Sequence, residues 1–306
     1  MAMVLARRLL QALLILLGVA VITFVLLYAM PADPARMLAG RSATTQTVAN
    51  IRHELGLDQP LVMQFWHYIS GLVQGDLGRS YAQKTEVGTL IWARLPATLV
   101  LMAAGIFIEV LLGTLLGITA AVKRGSVIDN LVMMTSFVGV SAPQFVVALM
   151  LLYVFAITLG WFPMSGYGTF AHVVLPATTL GVLGAGWYAR MARSAMIDVL
   201  NQDYVRTARA KGLSSARVLL RHALPNALLP IIAMIGIDIG QFMGGVVVVE
   251  AVFGWPGIGQ LAWQAIQQVD IPIIMGVTLV SAFAIVVGNL IADLTAPLID
   301  PRIRAG

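Results

Sequence analysis

The chain has 306 residues, of which 59% are hydrophobic and only 11% charged. Soluble domains carry about 25% charged residues, so this balance excludes a water-soluble globular protein and predicts one membrane domain with several spans. The net charge of +5 is spread over the ends of apolar segments, which argues against a nucleic-acid partner, and the absence of cysteine excludes disulfide and thiol chemistry.

The first apolar run covers residues 9–30 and follows Arg7 and Arg8. A signal peptide has an apolar core of about 7–15 residues, whereas a spanning helix needs about 20; the run predicts a retained span, with residues 1–30 as its unit. Pro31 and Pro34 break that helix and open a polar insert over 31–96, expected on the outer face. Within it Val48, Ile51 and Leu55 predict an amphipathic helix ending at Gly56. Asp58 is placed to cap a second one, with Pro60 near its first turn. Leu61, Phe65, Trp66, Ile69, Leu72 and Val73 give that second helix a broad apolar face, and Trp66 and Tyr68 suit a membrane–water interface.

The membrane core is expected over 97–296. Its second span is 97–122, closed by Lys123 and Arg124, and its third is 130–158. A short outer loop from Trp161 to His172 leads to a fourth span, from 173 to near Arg190 and Arg193. After a polar loop over 197–226, a fifth span is expected over 227–249. Residues 250–272 form an outer loop whose F-G-W-P-G-I-G run demands turns. An amphipathic helix over 258–269 follows, then a sixth span over 273–296 and a tail at 297–306 that includes Asp300-Pro301-Arg302-Ile303-Arg304.

With six spans and both termini inside, 13 of the 19 Lys and Arg fall on cytoplasmic segments and the other six in the 31–96 insert. The outer loops at 159–172 and 250–272 carry none. Long inserts weigh little in topology, so the count favours this orientation. The fold class is therefore an all-α membrane protein with six transmembrane helices and cytoplasmic N- and C-termini.

The polar stretch 203–226 carries Arg206, Arg209, Lys211, Arg217 and Arg221. Asp203 to Lys211 lacks a breaker, Gly212 suits the left-handed residue that ends a helix, and Ser214 suits an N-cap for a second helix ending near Pro225. In that second helix Ala216, Leu219, Leu220, Ala223 and Leu224 share one face, and Arg217 and Arg221 another. The prediction is a short amphipathic hairpin with a row of cations available to a partner.

Within the spans, Gly113 and Gly117 stand four apart, as do Gly236, Gly240 and Gly244. Small residues at this spacing let helices approach closely in lipid; in the fifth span they equally leave room for a solute or gate. Glu109, Asp238 and Asp293 fall inside apolar segments. A charge at mid-bilayer costs about 2.5–3.5 kcal/mol on insertion scales, so each should face a cavity or a partner. Asp238, one turn from Gln241, is the pathway candidate that could meet an amino group; the plainer alternative for it and for Glu109 is a structural polar contact. Asp293 has a plain partner in Arg302 or Arg304. His53, His67, His172 and His222 show no metal-ligand spacing, no catalytic pattern is present, and no phosphate-binding G-x-x-x-x-G-K-[ST] loop occurs. A chain of this kind that used ATP would rely on another chain to bind it.

The run Arg206-Thr207-Ala208 with Gly212, the RHALPNALLP stretch behind it, LGLDQPLVMQFWHYISGLVQGDLGRS at 55–80, VVVEAVFGWPGIGQL at 247–261 and DPRIR at 300–304 resemble the permeases of binding-protein-dependent ABC importers. The form is that of the B-type subunit of the peptide branch, whose relatives carry dipeptides, oligopeptides, glutathione or nickel complexes. The resemblance implies a type I importer architecture in a bacterial or archaeal cytoplasmic membrane, surrounded by lipid. It implies a second, similar permease chain (a heterodimer), two ATPase subunits that bind ATP and Mg, and an extracytoplasmic solute-binding protein. It makes 206–222 the coupling loop, with Arg206, Thr207, Ala208, Lys211, Gly212, Arg217, Arg221 and His222 as its contact residues. It also makes the fifth span, with Gly240, Gln241 and Gly244, part of the pathway at the dimer interface; Asp238 and Glu109 are pathway candidates from their own chemistry, and the resemblance assigns them no role. The insert's apolar helix reads as a docking surface for the binding protein or as a structural collar. Arg206 stands where Glu is typical of the wider family, and Thr207 where the first Ala is typical. The acids at 109 and 238 also lie outside its common pattern. An ion-coupled secondary transporter working through Glu109, Asp238 and Asp293 is the alternative from another class, and a membrane-embedded enzyme is a third.

Overall fold

In lipid every backbone N–H and C=O must find its partner within the chain, and helix is how this chain meets that demand. The computed structural model describes the backbone over residues 2–29, 33–40 and 43–299, and the side chains over 7–26, 33–36, 39–40, 43–242 and 246–290. The helices are α1 (Ala2–Ala29), α2 (Pro34–Ala39), α3 (Thr45–Glu54), α4 (Leu61–Val73), α5 (Val87–Val122), α6 (Val127–Ser141) and α7 (Gln144–Leu151). They continue with α8 (Phe170–Leu200), α9 (Asp203–Ala210), α10 (Ser215–Arg217), α11 (Leu224–Ala227), α12 (Leu229–Gly245), α13 (Val247–Val252), α14 (Ile258–Gln268) and α15 (Ile271–Ile299). Two wider π-helical stretches, Leu152–Thr158 and Val218–Ala223, extend α7 and α10.

Among the described residues four helical segments are long and apolar enough to cross a membrane: Arg7–Leu26, Val87–Val122, Phe170–Leu200 and Ile271–Leu290. The count reaches six when each of two bent pairs is one span. Val127–Ser141 with Gln144–Thr158 bends by 103°, and Ser215–Ala227 with Leu229–Phe242 by 42°. The expected straight third span is thus broken. Pro143 is the cause: the residue before a proline is pushed out of the helical region, and Ala142 sits at φ −74°, ψ 130°. The second helix begins at Val87, ten residues before the expected start at 97, and carries Pro96 inside it. Asp293 and the 300–304 motif lie outside the described side chains.

The chain divides into two compact units, Met1–Thr98 with Pro256–Val286, and Leu99–Trp255 with Val287–Gly306. In the first, Pro34 opens a helix rather than only breaking one. It occupies the first turn of α2, and the Asp33 carboxylate caps that turn by accepting from the Ala35 N–H at 3.1 Å. The amphipathic α3 forms as expected, capped by Thr44. Asp58 does not cap α4, whose first residue follows Pro60 without a side-chain cap; Asp58 instead accepts a 2.6 Å hydrogen bond from His53 Nδ1. One side of α4 packs on α1. Phe24 meets Phe65 edge-on at 5.1 Å and stacks on Tyr68 at 5.8 Å, and the Thr23 and Tyr68 hydroxyls are 3.2 Å apart. Trp66 and Val73 stay exposed.

The same unit holds a contact that joins distant parts of the sequence. Asp270, fully buried, accepts from Ser80 Oγ at 2.6 Å, Ala82 N at 2.9 Å and Tyr81 N at 3.2 Å. Loop 80–82 is thereby tied to the residue that precedes α15. The free N-terminus of α14 is satisfied by the Thr98 hydroxyl, which accepts from the Ile258 N–H at 2.8 Å.

The second unit is built on a close α5–α8 crossing. A Cβ on Gly113 would stand 2.4 Å from Tyr188 Cβ and 2.6 Å from the Ala185 carbonyl, and one on Gly117 would stand 2.4 Å from the Ala189 carbonyl. On α8, Gly186 meets the α6 backbone at the Ser136 carbonyl. Close packing is therefore what Gly113 and Gly117 provide. The start of α6 is clamped to α8 by an ion pair: Arg193 donates from Nε to Asp129 Oδ1 at 2.5 Å and from Nη2 to Oδ2 at 2.7 Å. The F-G-W-P turn buries Trp255 edge-on against Tyr167 at 4.8 Å, and the Gly166 N–H donates to the Phe253 carbonyl.

Candidate functional site

The basic loop folds as a hairpin with a small core of its own. Val205 and Ala208 from α9 and Val218 from the second arm are buried together, lined by Val199, Leu200 and Leu213. This follows from the sequence of α9, where Val205 and Ala208 stand three apart and Asp203, Arg206, Thr207 and Arg209 take the exposed positions. Gly212, at φ +77°, turns the chain between the arms, and a Cβ there would meet nothing within 4 Å. Its N–H donates to the Arg209 carbonyl at 2.9 Å, in the manner of a helix-terminating residue.

The second arm departs from the expected single α-turn pattern. It widens over Val218–Ala223, then continues through Pro225 into α11 and α12 rather than ending there. Pro225 lies in the first turn of α11, where a missing N–H costs nothing, and the π-helical turn before it accommodates the ring. The wider turn changes which residues face inward. Of the expected apolar face, Ala223 is buried and Leu219 and Leu224 pack beside it, but Ala216 and Leu220 are exposed, and Val218 is buried as well.

Arg206, Thr207, Lys211, Gly212, Arg217 and Arg221 are all exposed, and His222 is half-buried. Ala208 faces the hairpin's own core. Arg206 has only an exposed contact to Asp203 at 3.4 Å, so the arginines form a solvated cationic surface with Leu220 and Tyr204 exposed among them. The hairpin is firmly rooted. Ala223 and Ala227 pack with Met196 of α8 and Ala121 of α5. The backbone ladder also continues across the bend into α12, with the Leu228 N–H donating to Leu224 O and the Ile232 N–H to Leu228 O, both at 3.0 Å.

The helix that follows the hairpin carries Asp238 and Gln241 into a cavity of about 450 Å³. Glu109 of α5 lines the same cavity, with Gln144, Trp187, Leu183 and Met234 among its other walls. Glu109 is 4% exposed, and its Oε2 has no hydrogen-bond partner. Its carboxyl lies directly over Gly184, where an added Cβ would fall 2.1 Å from Cδ. The Tyr188 hydroxyl donates to Asp238 Oδ2. Of the other predicted pathway residues, Gly240 is buried with its backbone against Gly288, at 2.9 Å from a Cβ placed there, and does not line the cavity. Gly244 lies outside the described side chains. Sequence reasoning missed Tyr188, Gln144 and Trp187, for which spacing offered no signal. It also missed the Asp129–Arg193 pair, which Ser126-x-x-Asp129 foreshadows as a helix-start pattern.

Comparison with known proteins gives this geometry its setting. Residues 113–305 match the model of the binding-protein-dependent transport system inner membrane component, and residues 1–102 match that family's N-terminal region. The chain is 42% identical over 298 residues to the glutathione transport system permease protein GsiC of Salmonella typhimurium, covering 97% of each chain. It is 41% identical to the protein of the same name from Escherichia coli K12, again covering 97% of both. Among solved structures, the inward-facing MetNI methionine ABC transporter matches 69% of this chain and 96% of its own at 20% identity, with a TM-score of 0.57. The chain belongs to the family of binding-protein-dependent transport system inner membrane components: it is a membrane permease subunit of an ABC importer.

Proposed function

We propose that this permease forms half of a translocation pathway for small peptides, glutathione among them, and takes its drive from separate ATPase subunits through the 206–222 hairpin. The observation that carries this is mechanical. A hairpin with its own buried core and an exposed cationic face runs, through backbone hydrogen bonds that span the 42° bend, into the helix that bears Asp238 and Gln241. Arg206, Lys211, Arg217 and Arg221 supply the charge that acidic groups on an ATPase would meet. Thr207 and His222 flank them, Ala208 holds the arm together and Gly212 sets the angle between the arms. Closure of two ATPases moves the hairpin as a lever, and the bend at 228 passes that motion to the cavity. Access then alternates between the two sides of the membrane.

The similarity to glutathione transport system permeases supports the substrate class. In the assembly we propose, a second permease subunit completes the pathway as a heterodimer and a solute-binding protein delivers the peptide from outside. In the topology we propose, with six spans and both termini cytoplasmic, the hairpin lies on the ATPase side. The insert helix α4, with its exposed Trp66 and Val73, serves the outer face.

The test is co-purification. The tagged chain, expressed with its neighbouring genes and gently solubilised, should retain an ATPase and lose it when 206–222 is scrambled in a still-folded chain. Recovery of the chain alone, transporting on a proton gradient without ATP, would overturn the proposal in favour of ion coupling.

A further inference from the structure

The acid-lined cavity is more than a gap between helices. Its two carboxyl groups come from different helices, Glu109 from α5 and Asp238 from α12, and among the described residues no Lys, Arg or His lines it. Arg190 stacks over the Trp187 ring at 4.3 Å but is not part of the lining. The Glu109 carboxyl is buried, has one oxygen without a hydrogen-bond partner, and occupies space that exists only because residue 184 is glycine. A buried polar atom left without a partner costs about 1–3 kcal/mol, so the arrangement is a poor choice for packing alone. Asp238, by contrast, is oriented by the Tyr188 hydroxyl, which leaves its second oxygen available.

Building on the peptide-permease reading, we infer that this cavity is a subsite for the primary ammonium group of the transported solute, held between the Glu109 and Asp238 carboxylates. An ammonium carries three N–H donors and no acceptor, and the cavity answers with two carboxyls and the side-chain oxygens of Gln144 and Gln241. Its volume of about 450 Å³ falls within the range of about 300–1,000 Å³ found for small-molecule pockets. The apolar walls formed by Leu183 and Met234 suit the rest of a small peptide. A carboxylate terminus would meet repulsion here and is excluded. The site therefore reads one end of the peptide and gives it a direction. Because Asp238 rides on the helix continuous with the coupling hairpin, movement of that helix changes the spacing of the two carboxyls and releases the solute.

The test is protection from an apolar carbodiimide, read by mass spectrometry at Glu109 and Asp238. The preparation is the tagged chain in lipid nanodiscs with whatever subunits it retains. Glycylglycine should slow modification of Glu109 along a saturating curve, reaching about tenfold once its concentration is about ten times its dissociation constant. N-acetylglycylglycine and potassium chloride at the same ionic strength should give no protection. The Asp238→Asn variant should weaken the protection of Glu109, an effect a purely structural role would not produce. Four results overturn the inference: neither carboxyl reacts, glycylglycine protects nothing up to its solubility limit, N-acetylglycylglycine protects equally, or potassium alone protects. The retained subunits are scored on the same preparation. An ATPase present without protection defeats the ammonium site alone, and its absence defeats the coupling proposal.

Discussion

Gly212 offers the sharpest test of the hairpin as a lever. Its φ of +77° is a left-handed conformation, and a Cβ built there meets no atom within 4 Å. Replacement therefore adds backbone strain with no clash to confuse it. A side chain in the left-handed region costs about 1–2 kcal/mol, and a β-branched residue lies at or above the upper end of that range. A cost of this size changes a two-state population by a factor of about 5–30. Gly212→Val should weaken binding of the partner ATPase to the nanodisc-embedded permease by up to that factor, and uptake should fall with it. Gly212→Asn should stay close to the parent, because Asn tolerates this region. Hydrogen exchange over 203–227 should quicken in Gly212→Val while that of α8 stays unchanged. An affinity for Val within twofold of Gly, or an Asn variant as damaged as the Val variant, would refute the reasoning.

Other outcomes follow from contacts elsewhere in the molecule. Gly117→Ala drives a Cβ to 2.4 Å from the Ala189 carbonyl and 2.7 Å from Ala192 Cβ; because backbone must move, the loss should reach about 1–3 kcal/mol, read as a lower thermal midpoint in lipid. Asp129→Asn removes the partner of Arg193, and breaking a buried pair costs about 3–5 kcal/mol. The guanidinium here keeps 27% exposure, so thermal unfolding should show the lower end of that range. The His53–Asp58 pair lies on the surface. Its hydrogen bond raises the His53 pKa above the ordinary 6.5 and lowers that of Asp58 below 3.8. The contact should hold between those two limits. It is lost as pH rises through the raised His53 value, and lost again as pH falls through the lowered Asp58 value. Histidine-selective NMR should place the His53 midpoint above 6.5 and return it towards the ordinary value in Asp58→Asn.

The sequence by itself determined the class of molecule and the outline of its basic hairpin. Apolar runs of about 20 residues flanked by arginines leave few options other than spanning helices. The order of breaker-free arm, Gly212 and second arm is local chemistry that needs no distant partner. The amphipathic helix after F-G-W-P-G-I-G could also be placed, at 258–268 in the structure against 258–269 from periodicity. Tertiary structure decided everything that depends on two helices meeting. The sequence reads 130–158 as one span, whereas the structure bends it by 103° at Pro143. The π-helical turn before Pro225 changed the buried face of the second arm, which 3.6-residue periodicity cannot foresee. Glu109 and Asp238, 129 residues apart in sequence, share a cavity only because Gly184 clears space for one carboxyl and Tyr188 orients the other. Sequence periodicity reports which face of a helix is apolar. The neighbour that covers that face, and the gap left for a charged group, come from helices brought together by the fold.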